Sequence, residues 1–396
     1  MTLSAFDDHP TRARINLSAF RQNVASVRSR IDLKTKILAV VKANAYGHGM
    51  LTIADAAIRE GVDYLGVARI DEALQLRRHG IRSPILVFEL VRYELFDKAI
   101  AEDIDLTVSS IEGARELEGM AERMLRKAKI QVKIDTGMGR LGLDANLAVA
   151  EIETISRSRW LDVAGVYSHF ATSEDPDQTF ARQQLSTFNR IVDELRARGM
   201  SFPCVHMANS GAIMTMPEAQ LSMVRPGIML YGYAPGKGLD QDNPLMPVMS
   251  LESCVTFVKR VPKGVSISYG RKYETSAETR IATIPVGYGD GFSRMLTGKA
   301  HVLIGGVAYP VAGTICMDHL MVDVGPESDI HEGDPVVLIG KQGRASISAW
   351  DIADALGTIP YEVTCMIAPR VARIPEQGTL GGVTGGHSIG TRDLIR

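Results

Sequence analysis

The chain has 396 residues, a formal net charge of -2 and 45% hydrophobic residues. That length exceeds the size at which a single hydrophobic core usually stops growing, so two domains are expected. The balanced charge and the lack of a long basic block give no reason to expect nucleic acid or an anionic membrane surface as partner, which leaves small neutral or zwitterionic substrates open.

The N-terminus, Met1 to Pro10, carries acids where a signal peptide would carry basic and then apolar residues. No apolar stretch approaches the length of a membrane span. Cys204, Cys254, Cys316 and Cys365 are far apart and form no C-x-x-C pair. They argue against a structural zinc site or a disulfide scaffold and for reduced thiols. A cytoplasmic protein without a metal site is the expectation.

From residue 37 to residue 224, short β-like runs alternate with helix-like stretches. The runs are Ile37 to Val41, Tyr64 to Val67, Ile85 to Phe88, Leu106 to Val108, Ile130 to Ile134, Val163 to Tyr167, Cys204 to Met207 and Ser222 to Val224. Between them, Leu51 to Glu60, Ile70 to His79, Ile111 to Ala128 and Gln178 to Arg198 carry apolar residues at helical spacing among charges. Eight short apolar strands, each followed by a helix or turn, predict an N-terminal (β/α)8 TIM-like barrel. A doubly wound sheet would also alternate, but eight strands over this length favour closure.

From about Pro244 the texture changes. Val248 to Val258, Ile281 to Pro285, Ala300 to Leu303, Ala308 to Val311, Leu320 to Val324 and Val336 to Ile339 are strand-like and separated by Gly, Pro and Asp turn signals. One helix is expected near Ser348 to Leu356, started by a Ser cap. The fold class is thus α/β plus β. The barrel takes residues 1–243, with the segment around residues 1–10 pairing with the β domain; a C-terminal mainly β domain takes 244–377, and a Gly-rich tail read as mobile takes 378–396.

In such a barrel, chemistry belongs at the C-terminal ends of the strands. Lys42 follows the apolar run Ile37 to Val41 and precedes a glycine-bracketed turn, Ala43-Asn-Ala-Tyr46-Gly-His-Gly49. A lysine there suits Schiff-base chemistry, because its amine changes pKa readily on desolvation and then attacks carbonyls. Other polar residues fall at later strand ends: Lys133 to Arg140, His169, His206 to Ser210, and Arg225 to Ile228. Gly227 lets the backbone approach a phosphate, with the amides of Gly227 and Ile228 as candidate donors, and Asn209-Ser210-Gly211 supplies a hydroxyl beside it. Each signal alone is weak. Together they describe a phosphate-bearing aldehyde cofactor, for which pyridoxal 5'-phosphate is the obvious candidate.

Eight blocks carry a family resemblance. They are Ala39-Val-Val-Lys42-Ala-Asn-Ala-Tyr46-Gly-His-Gly49, Lys133-Ile-Asp-Thr-Gly-Met-Gly-Arg140-Leu-Gly, Ser168-His169-Phe-Ala, Met207-Ala-Asn209-Ser210, Arg225-Pro-Gly-Ile228, Ser268-Tyr269-Gly270, Ile284-Pro-Val-Gly-Tyr288-Gly-Asp-Gly and Cys316-Met317-Asp318. In this order they resemble the signature blocks of bacterial alanine racemases. The resemblance implies a fold-type III pyridoxal phosphate enzyme, a head-to-tail homodimer with shared active sites, that supplies D-alanine for peptidoglycan. It further implies that Lys42 holds the cofactor and acts as the base on one face of Cα, while Tyr269 from the partner subunit is the base on the other. Arg225 would bond the pyridine nitrogen, with His206 and His169 nearby. Tyr46, Asn209, Ser210, Gly227 and Ile228 would surround the phosphate end of the cofactor. Arg140 and the partner's Met317 amide would hold the substrate carboxylate, with the partner's Tyr288 and Asp318 lining the site. Lys133 matches a lysine that is carbamylated in some members to orient that arginine.

An arginine opposite the pyridine does not readily give up its proton, so the ring remains a weaker electron sink and racemisation is favoured over transamination or decarboxylation. One block departs from the family. Where some members have a phosphate-binding tyrosine, Cys365-Met-Ile-Ala-Pro369-Arg370 has proline, so anchoring is expected to rest more on Tyr46 and Ser210, with a differently shaped wall at Pro369. The rival readings are a broader-specificity or serine racemase of the same fold and, from another class, a non-catalytic pyridoxal phosphate carrier.

Overall fold

The computed structural model describes residues 9–239 and 244–377. The expected boundary at 240–243, the first eight residues and the glycine-rich tail lie outside the described residues. Eight parallel strands close on themselves: β1 (Lys36–Val40), β2 (Tyr64–Val67), β3 (Ile85–Val87), β4 (Asp105–Val108), β5 (Ala128–Asp135), β6 (Leu161–Tyr167), β7 (Cys204–His206) and β8 (Met223–Val224). Each pairs with its neighbour in sequence, and β8 returns to β1 with Val224 opposite Ile37. The interior positions of these strands are nearly all fully buried, as a packed rather than hollow barrel requires. Helices Met50–Arg59, Ile70–Arg78, Ile111–Arg123 and Thr179–Ala197 lie where apolar periodicity placed them. The third ends earlier than expected, because Leu125 turns at φ 52° and Ala128 already begins β5.

The strand Arg12–Asn16 precedes the barrel but belongs to the sheet of the other domain. It lies between Met249–Cys254, antiparallel, and Ala372–Glu376, parallel, so the first and last described strands are neighbours. Arg14 locks this arrangement by pairing with Glu252 at 2.6 Å and with Glu376. That sheet continues through Pro335–Gln342 to His301–Ile304 and Val307–Pro310. A second sheet joins Phe257–Val261, Thr279–Ile284 and Leu320–Asp323. The single run expected over Val248 to Val258 is therefore two strands in different sheets, Met249–Cys254 and Phe257–Val261. Two helices follow. Ala349–Leu356 has the expected cap, Ser348, whose Oγ accepts from the Asp351 amide at 3.2 Å. Pro360–Met366 was not expected; it starts with proline at its first turn and packs on the turn that carries Lys42.

One hydrophobic cluster runs from Ala13 through the barrel to Val371, so barrel and β domain share a core. Among the described residues no helix is long and apolar enough to cross a membrane, and no group of three or more His, Cys, Asp and Glu is placed to hold a metal.

Candidate active site

The segment after Lys42 is held in a backbone conformation rare for L-residues. Ala43, Asn44, Ala45 and Tyr46 have φ of 52°, 54°, 54° and 53°, which makes one turn of left-handed helix. Such geometry costs L-residues roughly 1–2 kcal/mol each, so it persists only where neighbours over-determine it. The Ala43 amide donates to Glu72 Oε1 (2.7 Å), and the Met50 amide donates to Asn44 Oδ1 (2.8 Å). His48 Nδ1 lies 3.0 Å from the Ala45 carbonyl and 2.9 Å from that of Tyr46. Two acceptors require the proton on that nitrogen, and burial pushes the His48 pKa down to about 4, so the ring is a fixed neutral donor. At Gly47, with φ of 84°, a Cβ would sit 2.1 Å from the Thr364 carbonyl oxygen, so the helix Pro360–Met366 can close on this turn only over glycine. The turn brings Lys42 and Tyr46 to one cavity of about 700 Å³ at the barrel mouth.

At one end of that cavity the Tyr46 ring stacks on Tyr231 with centroids 4.8 Å apart. A Cβ on Gly227 would lie 2.6 Å from the Tyr46 hydroxyl, so glycine is what admits this hydroxyl to the loop after β8. Ser210 Oγ accepts from the Gly227 amide at 2.9 Å, which engages one of the two expected backbone donors. The Ile228 amide has no acceptor among the described residues. Asn209 caps the helix Ser210–Thr215, accepting from Ala212 N at 3.0 Å and from Ser173 Oγ at 2.8 Å.

Arg225 is buried below the cavity. Its Nη1 is 2.7 Å from His206 Nδ1, and its Nη2 donates to the carbonyls of Ser168 (2.8 Å) and Met207 (3.1 Å) and lies 3.1 Å from His169 Nδ1. A guanidinium only donates, so both Nδ1 atoms accept. Burial, then the nearby Arg225 charge, push the pKa of both histidines well below the ordinary value, and both rings are neutral. Burial also lowers Arg225 to about 10, which leaves it a cation at neutral pH. The Nε–H makes no hydrogen bond among the described residues.

The opposite wall carries Lys133 and Arg140. Asp135 accepts from the amides of Gly137 (2.9 Å) and Gly139 (3.1 Å), folding the loop that presents Arg140. Lys133 is 3% exposed and lies 5.6 Å from the Tyr167 ring centroid. Burial, followed by Arg140 and Arg225, lowers its pKa to about 8. Burial and then Arg140 lower that of Lys42 as well. Lys42, Lys133 and Arg140 have no hydrogen-bond acceptor or ion-pair partner among the described residues. Although Glu89 and Glu362 also line the cavity, these three cations without a bonded partner suit it to anions.

Five expected site residues do not line this cavity: His206 is fully buried against Arg225, and the other four lie on the β domain. Tyr269, Tyr288 and Met317 lie on the β domain, 70%, 40% and 53% exposed. Asp318 is held there by Arg370 at 2.8 Å. Their backbones are tied together: Thr314 Oγ1 donates to Tyr269 O, Tyr288 N to Cys316 O, and Gly289 N to Met317 O, at 2.7, 3.0 and 2.9 Å.

Two family models match the chain, the alanine racemase N-terminal domain over residues 15–235 and the alanine racemase C-terminal domain over residues 248–375. The chain belongs to the alanine racemase family. It is 42% identical to alanine racemase 2 of Caldanaerobacter subterraneus, over 93% of this chain and 96% of that one. It is 44% identical to an alanine racemase of Methanococcus maripaludis, over 92% of this chain and 98% of its relative. Among solved structures, an alanine racemase of Clostridium difficile matches with a TM-score of 0.89 at 40% identity, covering 93% of this chain and 96% of that one.

Sequence reasoning overlooked several residues that line this cavity. Tyr167, Phe88, Glu89, Tyr361, Glu362 and Cys365 line the cavity, whereas the exposed Pro369 does not. The wall expected at Pro369 is formed instead by the helix Pro360–Met366, with the Tyr361 ring 5.9 Å from that of Tyr46. Pro360 just after a strand-like break was the available signal for that helix.

Proposed function

We propose that the chain interconverts L-alanine and D-alanine with pyridoxal 5'-phosphate held at the barrel mouth, using Lys42 and Tyr269 of the partner subunit as the two bases. When bound, the cofactor supplies an aldehyde for the amine and a conjugated ring that takes up electrons as the Cα proton leaves. The observation that carries the reading is the division of the cavity between a strained turn presenting Lys42 and a buried Arg225 whose Nε–H has no acceptor among the described residues.

The residues fit the group. The Tyr46 hydroxyl, the Ser210 hydroxyl and the Ile228 amide suit a phosphate, and the loop at Gly227 leaves no room for a Cβ. Asn209 fixes the helix start beside them. Arg225 Nε–H has no acceptor among the described residues and suits the ring nitrogen, and the neutral rings of His206 and His169 hold the guanidinium without competing for its charge. Lys42, whose amine is made easier to deprotonate by burial, takes or returns the proton on one face of Cα. Tyr269 of the partner subunit does so on the other. Arg140 and the partner's Met317 amide hold the carboxylate. Lys133, with a pKa near 8, has a substantial neutral fraction able to take up carbon dioxide, and the resulting carbamate would give Arg140 its missing counter-charge. Tyr288 and Asp318 complete the wall from the second copy. The domain division at 243/244 follows the same reading, with the β domain acting on the partner's barrel.

The test is racemisation followed by circular dichroism in deuterated water, across a panel that includes alanine and serine. Alanine should racemise with deuterium entering at Cα. A cofactor-loaded protein that exchanges no Cα proton of any amino acid would overturn the reading. Rates on serine decide whether one extra hydroxyl is discriminated, which apolar pockets do weakly.

A further inference from the structure

A buried polar chain runs the length of the barrel beneath Arg225. Asp105 is the first residue of β4, at the end of the barrel away from the mouth; Gln131 is central in β5, and His206 ends β7. Their exposures are 2%, 0% and 0%, and that of Arg225 is 4%. Gln131 Nε2 donates to Asp105 Oδ2 at 2.8 Å. Gln131 Oε1 lies 2.7 Å from His206 Nε2, and His206 Nδ1 lies 2.7 Å from Arg225 Nη1. The His206 ring also stacks on Tyr167 at 4.9 Å with planes 1° apart, which fixes its tilt but not its protonation.

The directions of these bonds depend on one another. Burial raises the Asp105 pKa, whereas hydrogen bonds from Gln131 and Tyr64 favour its ionised form; that form presents only acceptor oxygens, so the Gln131 amide turns its NH2 downward and its carbonyl toward His206. A carbonyl there demands a proton on Nε2. Nδ1 is then a lone pair aimed at the guanidinium.

We propose that Asp105 and Gln131 are positioning residues for Arg225, which set the Nε2–H tautomer of His206 and so hold the guanidinium with its Nε–H toward the cavity. Without the acceptor at residue 105, Gln131 is free to turn its amide over. Its NH2 would then meet Nε2, the ring proton would move to Nδ1, and Nδ1–H would face Arg225 donor to donor. Buried networks of this kind are costly when half satisfied, so the displaced guanidinium would leave its place. The inference deepens the proposed function and rests on it for the role of Arg225, but the tautomer of His206 does not depend on that role.

The experiment uses holoprotein labelled with 15N-histidine, with the His206 signals assigned through His206→Asn. Imidazole nitrogen shifts should show His206 protonated at Nε2 only, at and around neutral pH. Asp105→Asn, whose side-chain oxygen still accepts, should keep that tautomer and the parent kcat. Asp105→Leu and Gln131→Met should retain cofactor and KM, admit the other tautomer, and lose roughly tenfold to a hundredfold in kcat, the range typical of partners behind a reacting group. Parent-like tautomer and kcat in both of those variants would overturn the proposal. So would an Nδ1–H ring in the parent itself, a measurement that decides the matter even if both variants fail to fold. Absence of racemase activity in the parent would sink the proposed function and leave the tautomer result standing.

Discussion

At the barrel mouth, Lys42, Lys133 and Arg225 are set among contacts within the chain: a left-handed turn held by Glu72 and His48, and a guanidinium held by His206 and two carbonyls. On the β domain, Tyr269 and Met317 have pinned backbones but side chains that are 70% and 53% exposed. Both regions spend local order on placing reactive groups. Only the first has, within one chain, anything for those groups to act on. On the proposed reading, the second surface is ordered for a contact that a single chain does not make, as expected of sites completed by symmetry.

The largest expected effect breaks the barrel side. Lys42→Ala should reduce racemisation roughly a thousandfold or more, since on the proposed reading it removes both a base and the amine that carries the cofactor. It should also abolish the near-visible absorbance and borohydride labelling. Peptide mapping that finds the pyridoxyl group on a different lysine would contradict the assignment.

Tyr269→Phe attacks the other side, with an expected loss of about 10²- to 10³-fold. Folding and cofactor absorbance should be unchanged, because an exposed ring contributes little to the core of one chain. Proton exchange at Cα should survive for one enantiomer and fail for the other. Symmetric loss for both would place Tyr269 outside the base role.

Arg225→Glu sharpens the account of the cavity floor. Replacing a fixed cation beside the ring nitrogen should slow racemisation roughly a hundredfold and reveal a long-wavelength absorbance or transamination product with alanine. Normal racemisation without either would exclude the pyridine contact.

A smaller effect distinguishes the two regions by their electrostatics. In the folded chain Lys133 has a pKa of about 8 against 10.5 when free. Between those values the unfolded chain binds more protons, so this residue makes stability rise with pH; the penalty is complete below the folded value and absent above the free one. Lys133→Met should therefore flatten the rise across that window, by no more than about 3 kcal/mol in carbonate-free buffer. Denaturation curves at several pH values measure it. An unchanged slope would show that the amine is well solvated.

Much of the mouth was legible because its residues sit where the barrel pattern requires: Tyr64–Val67 is a strand as read, Lys42 and Arg225 follow strand ends, and His206 is the last residue of a strand. The left-handed turn was not, because only Asn44 in Ala43-Asn-Ala-Tyr46 tolerates it readily; its cost is offset by His48 just beyond it and by Glu72, which is remote in sequence, with the helix of Thr364 closing over Gly47. Pro360–Met366 escaped because seven residues are too few for apolar periodicity to speak. Gln131 could have been noticed. It shares the face of Lys129, Lys133 and Asp135 in a strand whose other face, Ala128, Ile130, Val132 and Ile134, is apolar; where helices cover the outside of a barrel, such a polar face turns inward. The break at Val255 and Thr256 was hidden by continuous β propensity, since propensity does not say which sheet a strand joins.

If one site is built from two copies, mixing subunits must show it. Lys42→Ala and Tyr269→Phe homodimers should each be nearly inactive. After subunit exchange, a heterodimer has one site with both defects and one with neither. Activity should return to about a quarter of the parent for random exchange, since about half the dimers carry one intact site of two. Heterodimers demonstrated by mass spectrometry that recover no activity would contradict the account.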